Sequence, residues 1–178
     1  MRAPSLLLLL CVSPLLIASA EAQKEQRQPL TEPQIEQIRE AGVDPDERVK
    51  LYTKFLQERV DSIKGLIPRI HSGARSKRMD DELQDLTALM DELGSNLDQY
   101  AERKADLRKS LKSLSESTPH WVDVLRGLPS EPGFDLSRKE AIDSGKDLAD
   151  QITQMLKEQT DYFNLHKDEK GQERAEPK

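Results

Sequence analysis

"MDDELQDLTALMDELGSNLDQYAERKADLRKSLKSL", residues 79–114, decides the fold. Met79, Leu83, Leu86, Met90, Leu93, Leu97, Tyr100, Lys104, Leu107, Leu111 and Leu114 alternate steps of four and three without a slip. That is a heptad repeat, and it predicts one amphipathic helix with coiled-coil character, a rod of roughly 54 Å at 1.5 Å per residue. Acids gather at its start (Asp80, Asp81, Glu82, Asp85) and bases at its end (Arg103, Lys104, Arg108, Lys109, Lys112), the sense that complements a helix dipole. Beside the stripe, Thr87, Leu89, Gly94 and Ala101 are small or apolar, which widens it enough for two neighbours. Arg103, Arg108 and Ser110 narrow it again. Leu107, Leu111 and Leu114 then form a strip for a single neighbour and, with Trp121, the candidate contact surface for a protein partner or for self-association. Lys104, at a core-facing heptad position, either sets register or snorkels from a partly exposed seam.

Working outward, Thr31 and Gln34 form a capping box flanked by Leu30 and Ile35, opening a short helix that Gly42 ends. Asp44, with Pro45 and Glu47, opens a long helix whose stripe is Val49, Tyr52, Leu56, Val60, Ile63, Ile67 and Ile70, widened by Phe55 and Leu66. Gly65 and Pro68 should fray its last turns. The pattern breaks over 117–137, rich in Pro and Gly, with one helical turn expected at Trp121 to Leu125. Ser137 and Glu140 supply a third capping box for a last helix carrying Ala141, Leu148, Ile152, Met155, Leu156, Tyr162 and Phe163. The fold class expected is all-α: an elongated antiparallel bundle of three long helices plus a short N-terminal helix. Its limits are 31–166, between a disordered segment at 21–30 and a disordered tail at 167–178.

Residues 1–20 have the plan of a signal peptide: Met1-Arg2, an apolar stretch from Leu6 to Ile17, and small-x-small cleavage positions after Ala20 or Ala22. Export to a periplasmic or extracellular compartment is expected, with no integral membrane span. The single cysteine, Cys11, falls inside that stretch and is preceded by Leu10 in place of the small residue of a lipoprotein site. A processed chain therefore has no disulfide. Charged residues make up 34% and aromatics 4% of the 178 residues, which suits long amphipathic helices. A net charge of −6 argues against nucleic acid as a partner.

No motif names a reaction. His71, His120 and His166 stand apart, and Pro119 is expected to interrupt the helix that would align Glu116 with His120, so no metal site, cofactor or catalytic residue is expected. The basic stretch "RIHSGARSKR", Arg69 to Arg78, offers charge for anionic polymers or lipid headgroups, and also suits an ordinary exposed turn.

"LTEPQIEQI", with Leu30, Thr31 and Gln34 followed by Ile35 and Ile38, resembles the Leu-Thr-x-x-Gln element of the Spy/CpxP family of exported helical proteins. The resemblance implies an envelope-stress chaperone or metal sensor, built as a cradle-like helical dimer that holds unfolded clients. The function expected is that of a non-enzymatic helical bundle acting by protein–protein interaction in the cell envelope. The chaperone or metal-sensor reading and a structural spacer are the alternatives.

Overall fold

The computed structural model describes residues 28–69 and 73–169. The expected signal peptide, most of the expected disordered N-terminal segment, Ile70, His71 and residues 170–178 of the tail lie outside them. The described residues form five α-helices: α1 (Glu32–Glu40), α2 (Pro45–Leu66), α3 (Gly73–Glu102), α4 (Arg108–Arg126) and α5 (Asp135–Leu165), with 3₁₀ turns at Ile67–Arg69 and Lys167–Glu169.

Local signals place α1 and α2 where expected. Thr31 caps α1 with both halves of its capping box in place, and Gln34 Oε1 accepts the Thr31 backbone N–H at 3.0 Å. Gly42, at φ 61°, ends the helix in the left-handed conformation. Asp44 caps α2, accepting from the Asp46 and Glu47 backbone N–H groups at 3.0 and 3.3 Å, with Pro45 at the first helical position. Pro29, ahead of α1, is docked: its carbonyl accepts from Arg59 Nη2 at 2.6 Å. Arg59 also pairs with Glu82 at 3.0 Å and Asp85 at 3.4 Å on α3, so one half-buried guanidinium ties three segments together.

The expected 79–114 rod is broken in two, so four long helices stand where three were expected. α3 ends at Glu102 and the chain reverses through residues 103–107 before α4 begins. The Ala105 N–H bonds the Tyr100 carbonyl (3.1 Å) and the Lys104 N–H bonds that of Ala101 (3.0 Å), the paired bonds of a Schellman motif. Lys104 fills its left-handed position at φ 56°, where glycine is usual. Gln159 of α5 clamps the turn from inside, its amide nitrogen donating to the Ala105 carbonyl (3.0 Å) and its oxygen accepting the Leu107 N–H (2.8 Å). A buried amide thus satisfies two backbone groups that the break exposes.

Two further expectations are corrected. α4 runs straight through Pro119 instead of forming one turn at Trp121–Leu125. Leu111, Leu114, Thr118, Trp121, Val122 and Leu125 are all buried on one face of α4, and that burial outweighs the roughly 3 kcal/mol that an interior proline costs. Ser137 is not a cap, since α5 already begins at Asp135 and the Ser137 hydroxyl donates to Asp80 on α3.

Each of the four long helices packs on two others: α2 on α3 and α4, and α5 on α3 and α4. Cross-helix bonds give the directions. Tyr52–Glu92 (2.6 Å) and Arg59–Glu82 make α2/α3 antiparallel, whereas Ser144–Asp91 (2.7 Å) and Gln151–Asp98 (2.7 Å) make α3/α5 parallel. Ser110–Asp46 and Trp121–Gln57 make α2/α4 parallel, and α4/α5 is a hairpin closed by residues 127–134. Two neighbouring pairs, α2/α3 and α4/α5, run antiparallel, and the 103–107 turn joins two long helices that are not neighbours.

Candidate functional site

Each parallel pair has its own polar register. Along α3/α5, Gln84–Ser137 (3.5 Å), Asp91–Ser144 (2.7 Å) and Asp98–Gln151 (2.7 Å) follow one another every seven residues on both helices. That spacing repeats the same cross-helix contact once per heptad. Along α2/α4, the matching pairs are Asp46–Ser110 and Gln57–Trp121, eleven residues apart on both helices. At 1.5 Å per residue they bracket a stretch of about 16 Å.

Between these two clamps the seam opens into a groove of about 470 Å³, lined by Lys50, Thr53, Lys54, Gln57, Lys109, Ser110, Ser113, Ser117 and Trp121. Serines at 110, 113 and 117 recur at helical spacing on α4 where a tightly packed seam would carry larger apolar side chains, and their small size leaves the space. Trp121 closes one end, fully buried, with its indole N–H donating to Gln57 Oε1 at 2.9 Å. A hollow of about 410 Å³ between α4 and α5 is lined by Ser115, Thr153, Leu156, Lys157, Thr160 and Asp161.

The groove's charge is uneven. At its lower end Lys50 is paired with Asp46 (3.0 Å) and Glu47 (2.6 Å), whose hydrogen bonds hold its ammonium above the ordinary lysine range. Burial works to raise the Asp46 carboxyl, but the Ser110 hydroxyl and the Lys50 ammonium outweigh it and hold the carboxyl below its usual value, with Lys109 acting at longer range. Lys54 meets Glu58 only at 3.9 Å. Lys50, Lys54 and Lys109 are thus set against Asp46, Glu47 and Glu58, three bases to three acids, and Lys54 and Lys109 are the more loosely paired ammoniums.

The hydroxyl walls have a direction as well. Thr53 donates its proton to the Val49 carbonyl (2.8 Å) and Ser117 to the Ser113 carbonyl (3.0 Å), each within its own helix. Their remaining lone pairs are acceptors. The groove thus combines ammonium donors at the rim with hydroxyl acceptors on the wall.

The expected contact residues lie elsewhere. Leu107, Leu111, Leu114 and Trp121 are 1%, 0%, 0% and 0% exposed in the single chain, so the strip lies inside the bundle. The heptad phase placed these residues on a rod with one open side, whereas the turn at 103–107 folds them back against their own neighbours. Only Trp121 borders the groove. Lys104 is exposed, its ammonium 5.0 Å above the Tyr162 ring. Glu116 and His120 share α4 after all, both on its outer face, and His120 Nε2 lies 3.4 Å from Lys64 Nζ. His166 stacks on Tyr162 with ring centroids 4.2 Å apart. Among the described residues no three His, Cys, Asp or Glu side chains gather as a metal site, and no helix is long and apolar enough to cross a membrane. Of the basic stretch 69–78, residues 73–78 form the start of α3.

Sequence reasoning passed over the groove because serine, threonine, lysine and glutamine are common on the solvent side of any helix. The signal was the serine spacing at 110, 113 and 117 beside a leucine stripe, facing Thr53 and Gln57 at matching spacing on α2. No protein-family model, curated protein or solved structure matches this chain.

Proposed function

We propose that this is an exported, non-catalytic binding protein whose ligand site is the α2/α4 groove. The observation that carries the reading is a gap held open between two hydrogen-bonded clamps and lined by Lys54, Lys109, Thr53, Ser113 and Ser117. A random packing fault would lack both the clamps and the polar lining. The chemistry fits a hydroxyl-bearing anion of about disaccharide size: its acidic group pairs with the rim ammoniums, and its hydroxyls donate to the wall oxygens. Export rests on the signal-peptide plan of residues 1–20.

The test uses the chain without residues 1–22 and reads Trp121, the single tryptophan, by fluorescence. The probes are a uronic-acid disaccharide, a sugar phosphate, a neutral disaccharide and a polyglutamate peptide. Saturable quenching or enhancement by either anionic sugar, lost in Lys54→Ala/Lys109→Ala, supports the reading. Binding of polyglutamate alone would replace the sugar with an acidic protein segment. No response, together with unchanged amide exchange over residues 50–57 and 109–121 in an envelope extract, would reject the groove.

The Spy/CpxP resemblance at Leu30, Thr31 and Gln34 supports a second reading, a chaperone acting through protein–protein contact. Suppression of aggregation of an unfolded client at substoichiometric amounts is its test. Under that reading the activity survives filling of the groove.

A further inference from the structure

The turn at residues 103–107 closes with Schellman bonds but is built from residue types that rarely stop or start a helix. α3 ends without a base in its last turn. The left-handed position is a lysine, Lys104, and the reversal "ERKADLR" contains no glycine or proline. α4 begins with Leu107 at its cap, makes no side-chain cap bond from it, and has no acid in its first turn. Arg108 and Lys109 instead sit at the positive end of the helix dipole. The Asp106 carboxylate is taken up chiefly by the Arg108 guanidinium, at 2.7 and 2.6 Å, and reaches the Arg108 backbone N–H only at 3.4 Å. Every one of these residues except Asp106 is a good helix former, and the heptad phase crosses the turn unbroken from Tyr100 through Lys104 to Leu107 and Leu111.

We infer that the chain has a second, extended form in which α3 and α4 join as one helix through 103–107, and that a second copy of this chain completes it by exchange of the α4–α5 hairpin. Straightening removes the left-handed lysine. It moves Arg108 and Lys109 from a helix start to a helix interior, and gives a rod over residues 73–126 of about 80 Å. The cost is the loss of the α2/α4 and α3/α5 seams within one chain, which two copies restore to each other unchanged. Gln159, holding both Ala105 and Leu107, is the latch that favours the closed form. Exchange of an identical element across a strained hinge is a low-cost route to a dimer. Its register is already written: the clamps Asp46–Ser110 and Gln57–Trp121 form again between copies.

The chain without residues 1–22 is unfolded in urea and refolded at millimolar and at micromolar concentration, then examined by light scattering. A dimer is expected after concentrated refolding, and more of it in Gln159→Leu. Lys104→Gly favours the turn in each of two chains, both by accepting the left-handed conformation and by weakening the helix, and should raise the dimer dissociation constant about a thousandfold. Exchange is distinguished from simple contact by mixing Asp46→Cys chains with Ser110→Cys chains before refolding and oxidising. A covalent heterodimer shows α4 of one copy on α2 of the other. Monomer under all conditions, or a dimer that does not cross-link, would overturn the inference. If Gln159→Leu fails to fold by circular dichroism, the wild-type and Lys104→Gly results decide alone.

Discussion

Gly145 shows how a single atom can be decided by packing against propensity. An alanine Cβ there would lie 2.8 Å from Val122 Cγ2 and 3.6 Å from Met90 Sδ, where α5 crosses α3 and α4. Glycine inside a helix costs about 1 kcal/mol relative to alanine, so propensity alone makes Gly145→Ala stabilising. The neighbouring valine is stiff at χ1 and has nowhere to move. Gly145→Ala is therefore expected to destabilise the fold by about 1–3 kcal/mol, measured by urea denaturation. Asp46 gives a residue-scale prediction in pH. Its folded carboxyl lies below the ordinary 3.8, so its contribution is complete above that value and is lost as pH falls through the lowered one. Asp46→Asn should flatten part of the fall in melting temperature on the acid side and leave the slope near neutrality unchanged. Asp61 and Asp135, lowered chiefly by Gln57 and by Lys139 respectively, retain the rest of that fall.

Among the elements, the turn between α3 and α4 depends on one side chain. Gln159→Leu keeps the volume but leaves the Ala105 carbonyl and the Leu107 N–H, both buried, without their partner. Each orphaned group costs about 1–3 kcal/mol, so a loss of about 2–6 kcal/mol in unfolding free energy is expected by denaturant titration. The same turn marks the limit of what could be read from sequence. The stripes of α2 and α3 were legible because Val49 to Ile63 and Met79 to Tyr100 bury themselves by simple periodicity. The caps at Thr31 and Asp44 were legible because capping is local. The break at 103–107 was not, since its determinant is an amide 52 residues from Leu107, and local preference points to continued helix. Pro119 misled for the converse reason: a strong local signal was overruled by burial of Trp121, Val122 and Leu125. The groove was invisible because it is an absence of bulk at Ser113 and Ser117, and depends on which helices become neighbours.

At the scale of the whole molecule, a bundle that lines part of its α2/α4 seam with hydroxyls gives up packing there for space. Ser117→Leu, which fills the groove from α4, is expected to raise the melting temperature while abolishing ligand-induced change at Trp121. A fall in melting temperature would mean that the wall is already close-packed. The leucines behind it behave oppositely: Leu111→Ala should cost about 2–5 kcal/mol, because Leu111 is fully buried within its own chain.

The pairing of near neighbours as antiparallel hairpins and of distant helices as parallel seams also sets an order in time. α2/α3 and α4/α5 close over short connections, whereas the seams join residues 53 and 64 positions apart and must wait for the hairpins to meet. Most of the polar ladder belongs to the late step, so it inspects the alignment of preformed halves without helping to build them. Gln151, which holds the Gly94 carbonyl at 3.0 Å and Asp98 at 2.7 Å, is a clean probe. Gln151→Ala should speed unfolding in stopped-flow experiments and leave the refolding rate nearly unchanged. The hairpins would then be the units that this chain builds first and gives up last.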